Sequence, residues 1–274
     1  MIFSCNGLRL ILAMNKKITM CSVICFLSFS AAAFAGDKPL TTASDPRALK
    51  LVEAAEQNAM GNSLVANVTM SIERESSKRD LKFKLWQWKR DKALVKISEP
   101  VKDRDTGSLR LGLNLWQYLP NVGRTVRIPP SMMLQSWMGS DFTNDDLIKT
   151  SSLSRDYTHQ LDGEDELRGE KVMKVTCLPK PNAPVVWGKV RLWIRTKDAV
   201  NLRQEFYSEH GDLLKVMDGS DVKKYGKHTI PSTLTMTVIK KPGTKTTMRF
   251  LDANFDGPVE DQVFTQENLT HAGG

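Results

Sequence analysis

Leu213-Leu214-Lys215-Val216-Met217-Asp218-Gly219-Ser220-Asp221-Val222-Lys223-Lys224-Tyr225, followed across Gly226-Lys227-His228 by Thr229-Ile230-Pro231-Ser232-Thr233-Leu234-Thr235-Met236-Thr237-Val238-Ile239-Lys240, is the stretch whose reading decides the fold. Both runs have a period near two, and the return between them is hairpin-length. The same unit recurs outward. Downstream, Lys241-Pro242-Gly243-Thr244 leads into a strand at 246–253. Upstream, Glu209-His210-Gly211-Asp212 and Thr196-Lys197-Asp198-Ala199 separate strands at 202–208, 186–195 and 171–178. A first series at 65–73, 81–90, 93–99 and 108–119 precedes a charged stretch at 162–169. Consecutive strands with short returns make an antiparallel meander, hence a barrel or a strongly curved sheet. In the run 108–119, Leu109, Leu111, Leu113 and Leu115 read as one face, with Trp116 and Tyr118 on the other.

A single helix precedes the meander. Asp45-Pro46 reads as an N-cap followed by proline at the first helical position. Ala48, Leu51, Val52, Ala55 and Ala59 recur at helical spacing, and Gly61 ends the run. No long Gly/Pro/Ser-rich linker, tandem repeat or low-complexity tract divides the chain.

The first 35 residues read as an export signal. Asn15, Lys16 and Lys17 supply a short positive region, 18–29 is apolar and uncharged, and Ala33-Phe34-Ala35 supplies the small residues before a cut. Translation is expected to begin at Met14, and residues 36–274 are expected to act as one domain in the periplasm. Cleavage removes Arg9, Lys16 and Lys17 but no acid, so 39 basic residues become 36 against 31 acidic ones, a net charge of +5. With no Lys/Arg block, nucleic acid is not the expected partner. Three of the four cysteines leave with the signal. Cys177 remains as an expected buried strand thiol, so the domain must be held by its core rather than by an internal disulfide.

Residues 129–148 break the meander. Met132, Met133, Leu134, Trp137 and Met138 crowd a run in which Pro130 suits a first helical turn and Gly139 would end it. A second short helix is expected from Thr143 or Asn144, with Asp145 and Asp146 favourable in its first turn. Two short apolar helices can cover the open side of a sheet as a lid or fill it as a plug, and methionine clusters do both. Trp86 and Trp88 share one strand face, Trp116 and Tyr118 another, and Trp187 and Trp193 a third. Strands apolar on both faces need cover on both or an apolar cavity on one. These eleven residues are the candidate cargo-binding set.

No catalytic or metal motif appears. The four histidines lie 51, 18 and 43 residues apart, and HExxH, CxxC, G-x-S-x-G and glycine-rich phosphate cradles are all lacking. The chain is expected to be no enzyme and to need no cofactor or metal.

Trp116-Gln117-Tyr118-Leu119-Pro120, Arg124-x-x-Arg127-Ile128-Pro129-Pro130 and the segment from Met133 to Leu147, in this order after one helix, resemble the outer-membrane lipoprotein-sorting proteins related to LolA and LolB. The likeness is greatest to a branch found with envelope transporters. The resemblance implies a mainly β (α+β) fold: an unclosed, strongly curved antiparallel sheet with an N-terminal helix and short lid helices. It also implies an apolar cavity for acyl chains, and carriage of a lipid or lipoprotein between membranes without chemistry. An inner-membrane transporter and transient membrane contact follow as expected partners. In that family a basic residue helps to hold the lid shut, and Arg124 and Arg127 are the nearby candidates. The competing expectation is an envelope scaffold or transporter accessory subunit with a filled core and no lipid cargo.

Overall fold

The computed structural model describes residues 43–148, 152–183 and 185–271. The expected signal and its cleavage site lie outside these residues. Helix α1, Pro46–Met60, forms where the sequence indicates: the Asp45 carboxylate accepts from the Arg47 N–H, proline sits at the first turn, and Gly61 terminates the helix. It buries Ala48, Val52, Ala55 and Met60 against the sheet.

Thirteen antiparallel strands follow: β1 Ser63–Arg74, β2 Ser77–Trp88, β3 Lys92–Glu99, β4 Gly107–Leu111, β5 Asn114–Leu119, β6 Arg124–Ile128, β7 Tyr157–Leu167, β8 Glu170–Pro179, β9 Lys189–Arg195, β10 Asn201–Tyr207, β11 Leu213–Tyr225, β12 His228–Val238 and β13 Lys245–Phe255. Their order is β6-β5-β4-β3-β2-β1-β13-β12-β11-β10-β9-β8-β7. The sheet is curved and unclosed, as expected. Its central seam is β1 against β13, with Met70 opposite Met248. Its free edges are β6 and β7, consecutive in sequence but at opposite ends of the sheet. The chain between them must therefore cross from one edge to the other, and its described residues, 129–148 and 152–156, do so over the face that carries α1. One core joins α1, the inward residues of β1, β2, β8 and β9, and Trp137, Phe142 and Tyr157. Cys177 is buried in it, and burial pushes its thiol pKa up.

Several sequence expectations need correction. The run 108–119 is not one strand but the hairpin β4–β5, with Leu111 opposite Asn114 and Leu109 opposite Trp116. A two-residue turn reverses face parity, so Trp116 and Tyr118 join the face of Leu109 and Leu111, while Leu115 faces the other way and Leu113 is exposed. Strands β6 and β7 were not expected; both are edges with a solvated face and little apolar signal. The charged stretch 162–169 is mostly the end of β7 and its turn.

The first lid helix does not form. Residues 130–139 hold two single 3-10 turns, Pro130–Met132 and Trp137–Gly139, because Met138 and Gly139 adopt φ of 51° and 77°. A narrow hairpin replaces it: Ser136 bridges Thr143 and the Trp137 N–H donates to the Phe142 carbonyl at 2.9 Å. The second helix, α2, spans Asn144–Ile148 with Asp145 and Asp146 in its first turn, as expected. A further turn, α3, covers Leu153–Asp156.

Finally, Trp187 and Trp193 do not share a face. Trp187 packs in the main core and Trp193 in a separate cluster with Val172, Val200 and Leu202. The alternation breaks at Gly188, where a Cβ would collide with the Glu209 backbone.

Candidate functional site

The concave side of the sheet holds a cavity of about 190 Å³. Helix α1 contributes Val52, Ala55 and Ala59 to its wall, β2 contributes Phe83 and Leu85, and the far strands contribute Met217, Leu234, Met248 and Phe250. Trp187 and Phe206 form one side, with ring centroids 4.9 Å apart. The wall is therefore mainly apolar, aromatic and methionine-rich, which suits flexible hydrocarbon. One end is polar: Glu56, Arg90, Asp145, Asp146 and the Tyr157 ring meet there. Glu56 and Arg90 pair at 2.8 Å, and Glu56 also accepts from the Leu153 N–H at 2.7 Å, which fixes α1 against α3.

The crossing segment closes the cavity through Phe142, Asp145 and Asp146. It is held down mainly at Asp141. The buried carboxylate accepts from Arg74 Nη1 at 2.9 Å and from the Thr246 hydroxyl at 2.7 Å. Lys215 Nζ donates to the Asp141 carbonyl at 2.8 Å, and burial holds its pKa below that of an ordinary lysine. Arg74 Nη2 donates to the Gly139 carbonyl at 2.7 Å, and Arg79 Nη1 to that of Met138 at 3.0 Å. Three basic side chains from the sheet thus grip Met138, Gly139 and Asp141 of the strap. Charge-assisted bonds of this kind are strong but local, and Trp137 and Phe142 of the same strap are packed in the main core besides.

Of the eleven candidate cargo residues, the structure brings only Trp187 to the cavity wall. Trp137 is 2% exposed and belongs to the core: its ring meets Phe83 edge-on at 5.5 Å, and its indole N–H donates to the Ser108 hydroxyl at 3.2 Å. Met138 packs against the same core, and Met133 against Ala93, Leu115 and Ile128. Met132 is half-buried and Leu134 is 44% exposed. Trp86, Trp88, Trp116 and Tyr118 lie on the opposite face of the sheet. There they pack with Leu94 and Leu109 beneath Phe264 and Leu269 of the C-terminal segment. Lys96 holds that segment by donating to the Asn268 carbonyl at 3.1 Å. Trp193 sits outside as well, its N–H donating to Asp165 at 3.3 Å. Arg124 and Arg127 are exposed on edge strand β6, and Arg127 bonds Asn114. They do not grip the strap; Arg74, Arg79 and Lys215 do.

Residues 89–271 match the model of a family described as "Uncharacterized protein". The chain belongs to that family. No curated protein matches it. Its fold is shared with solved structures, among them the following three. One is a domain from Vibrio parahaemolyticus named for outer-membrane lipoprotein sorting (TM-score 0.73, 22% identity, covering 82% of this chain and 99% of that one). Another is a DUF1329 family protein from Desulfovibrio piger (0.76, 20%, 81% and 98%). The third is a LolA superfamily protein from Nitrosomonas europaea (0.69, 22%, 81% and 98%). The chain has the LolA-like fold, the open sheet of lipoprotein-sorting proteins.

Proposed function

We propose that the protein is a non-catalytic carrier of the cell envelope that takes an acyl chain of a lipid or lipid-modified protein into the concave cavity. The observation that carries this reading is an apolar cavity on the open side of a LolA-like sheet, closed by a strap held through polar bonds. Size gives the state. At about 190 Å³ the cavity is near the roughly 150 Å³ that accommodates benzene and below the roughly 300 Å³ at which drug-sized ligand sites begin. It is a closed form, and a full acyl chain enters only when the strap lifts. Each methylene removed from water contributes about 0.8 kcal/mol, so a few carbons offset the Asp141 bonds. A longer chain is needed to offset the Trp137 and Phe142 contacts that a lifted strap also gives up. Export to the periplasm and hand-over from an inner-membrane transporter complete the reading; they rest on the N-terminal signal pattern and the family resemblance.

Burial of Trp137 favours a second reading, a fixed plug in a scaffold without cargo. Mass spectrometry of organic extracts from gently purified protein, with titration of a fluorescent fatty-acyl probe, separates the two. A carrier yields co-purifying lipid and saturable probe binding. A preparation free of lipid that also fails to bind the probe refutes the carrier.

A further inference from the structure

Arg110 is the charge that the fold leaves without an explanation. It lies on β4 and is 2% exposed. Its Nη1 donates to the Gly112 carbonyl at 3.3 Å, while Nε and Nη2 are buried and have no partner. Taking a cation out of water is costly unless an opposite charge or a bonded ligand meets it. Its face is the one beneath the strap. The cross-strand neighbours Ala93 and Leu115 pack with Met133, and Ser108, two residues before, bonds Trp137. The acids around it, Asp91 and Asp145, act on it through space, and Arg90 and Arg155 oppose them. Two of these four, Arg90 and Asp145, line the polar end of the cavity.

Arg110 opposes Ala93, which opposes Gln87 of the cavity wall, so it lies two strands beyond that wall. A second buried donor is in the wall itself. Tyr157 lines the cavity, is fully buried, and its hydroxyl has no hydrogen-bond partner. It too feels the charge of Asp145. Two unmet donors, Tyr157 in the wall and Arg110 two strands beyond Gln87, are the complement of an acceptor-rich anion. The guanidinium fork matches the two oxygens of a carboxylate or phosphate, and a phenol hydroxyl adds a third bond.

We infer that Arg110, with the Tyr157 hydroxyl, is the anchor for the anionic headgroup, carboxylate or phosphate, of an amphiphile whose chain fills the apolar cavity. This rests on the carrier reading and gives its cargo a polarity: chain toward Trp187 and Phe206, headgroup under Met133 and Asp145. Lifting the strap uncovers the anchor and the cavity mouth together. The burial that pulls the Arg110 pKa down to about 10 leaves it a cation at neutral pH.

The test is displacement of a neutral fluorescent probe from the delipidated mature protein at pH 8. The competitors are dodecanoate, dodecyl phosphate and dodecanol, with acetate and inorganic phosphate as chainless controls. The two anionic amphiphiles are expected to compete at least about tenfold more tightly than the alcohol. Acetate and phosphate should compete weakly, because the chain is required. Arg110→Met should abolish the preference. A buried charge replaced by an apolar side chain of similar length is often tolerated, and Tyr157→Phe, which removes only an unpartnered hydroxyl, should narrow the preference about threefold. Equal competition by the acid and the alcohol overturns the anchor and leaves the carrier standing, as does a preference that survives Arg110→Met. No competition by any amphiphile overturns both. Competition by inorganic phosphate as strong as by dodecyl phosphate overturns the amphiphile assignment in favour of a free anion.

Discussion

Asp141→Asn tests whether the strap is a lid. The change is nearly isosteric and can keep the contact with Thr246, but it converts the charge-assisted bond from Arg74 at 2.9 Å into a neutral one. Bonds to charged groups contribute about 1.5–3 kcal/mol. Arg74 is 28% exposed and keeps its bond to Gly139, so water and that bond relieve part of the loss and the low end applies. About 1.4 kcal/mol is tenfold in an equilibrium constant, and the open population should rise about tenfold. The melting temperature should fall by roughly 3–6 °C for a domain of this size. The assay is native-state hydrogen exchange at the amides of Trp137, Asn144 and Asp145, which bond Phe142, Gln135 and Met133, alongside the rate of probe uptake. In a lid these amides open locally, with less protection than those of β9, and probe uptake accelerates about tenfold in the variant. If the strap amides share the protection of β9 in the parent protein and uptake is unchanged in the variant, the strap is a plug and the latch reasoning is refuted.

Ala59→Phe pushes a ring into the cavity from α1, where Ala59 lines the wall. Probe affinity should fall at least about tenfold with melting nearly unchanged, measured by titration and calorimetry on one sample. Trp137→Ser removes a buried aromatic side chain and should cost about 3–5 kcal/mol, which a denaturant titration reads directly. Asp256 is held well below the usual carboxylate range by the Asn62 N–H and by His228 at 2.6 Å. A depressed folded-state pKa contributes stability present above the ordinary value near 3.8 and lost as pH falls below it. Asp256→Asn should therefore flatten the dependence of stability on pH below about 5, as followed by urea unfolding at several pH values.

Local signals read well from the sequence. Asp45, Pro46 and Gly61 bounded α1 correctly because capping depends on adjacent residues alone. The hairpins from β8 to β13 were legible because each strand buries one face. What failed was parity and partnership. Leucines at 109, 111, 113 and 115 alternate straight through the Gly112-Leu113 turn, so periodicity hid the hairpin and placed Trp116 and Tyr118 on the wrong face. Apolar alternation also shows that a face is covered without showing by what. The aromatic residues of β2 and β5 are covered by Phe264 and Leu269, more than 140 residues away in the chain. The latch was illegible for the same reason: Arg74, Lys215 and Asp141 meet only through the sheet's register. Arg110 was visible as a charge between two leucines, yet nothing local marks a buried arginine as unmatched.

The seam of the sheet has a consequence for how the chain acquires its form. Each half of the sheet, β1 to β6 and β7 to β13, is built by turning back on its nearest neighbour, and such pairs form early because little loop entropy opposes them. The join between the halves pairs Leu64 with Phe255 and Glu73 with Lys245, nearly the whole domain apart in sequence. During synthesis, which proceeds from the N-terminus, β1 waits with a raw edge until the last strand emerges. Truncation just before Lys245 would therefore leave the sheet open down its middle, not frayed at its rim.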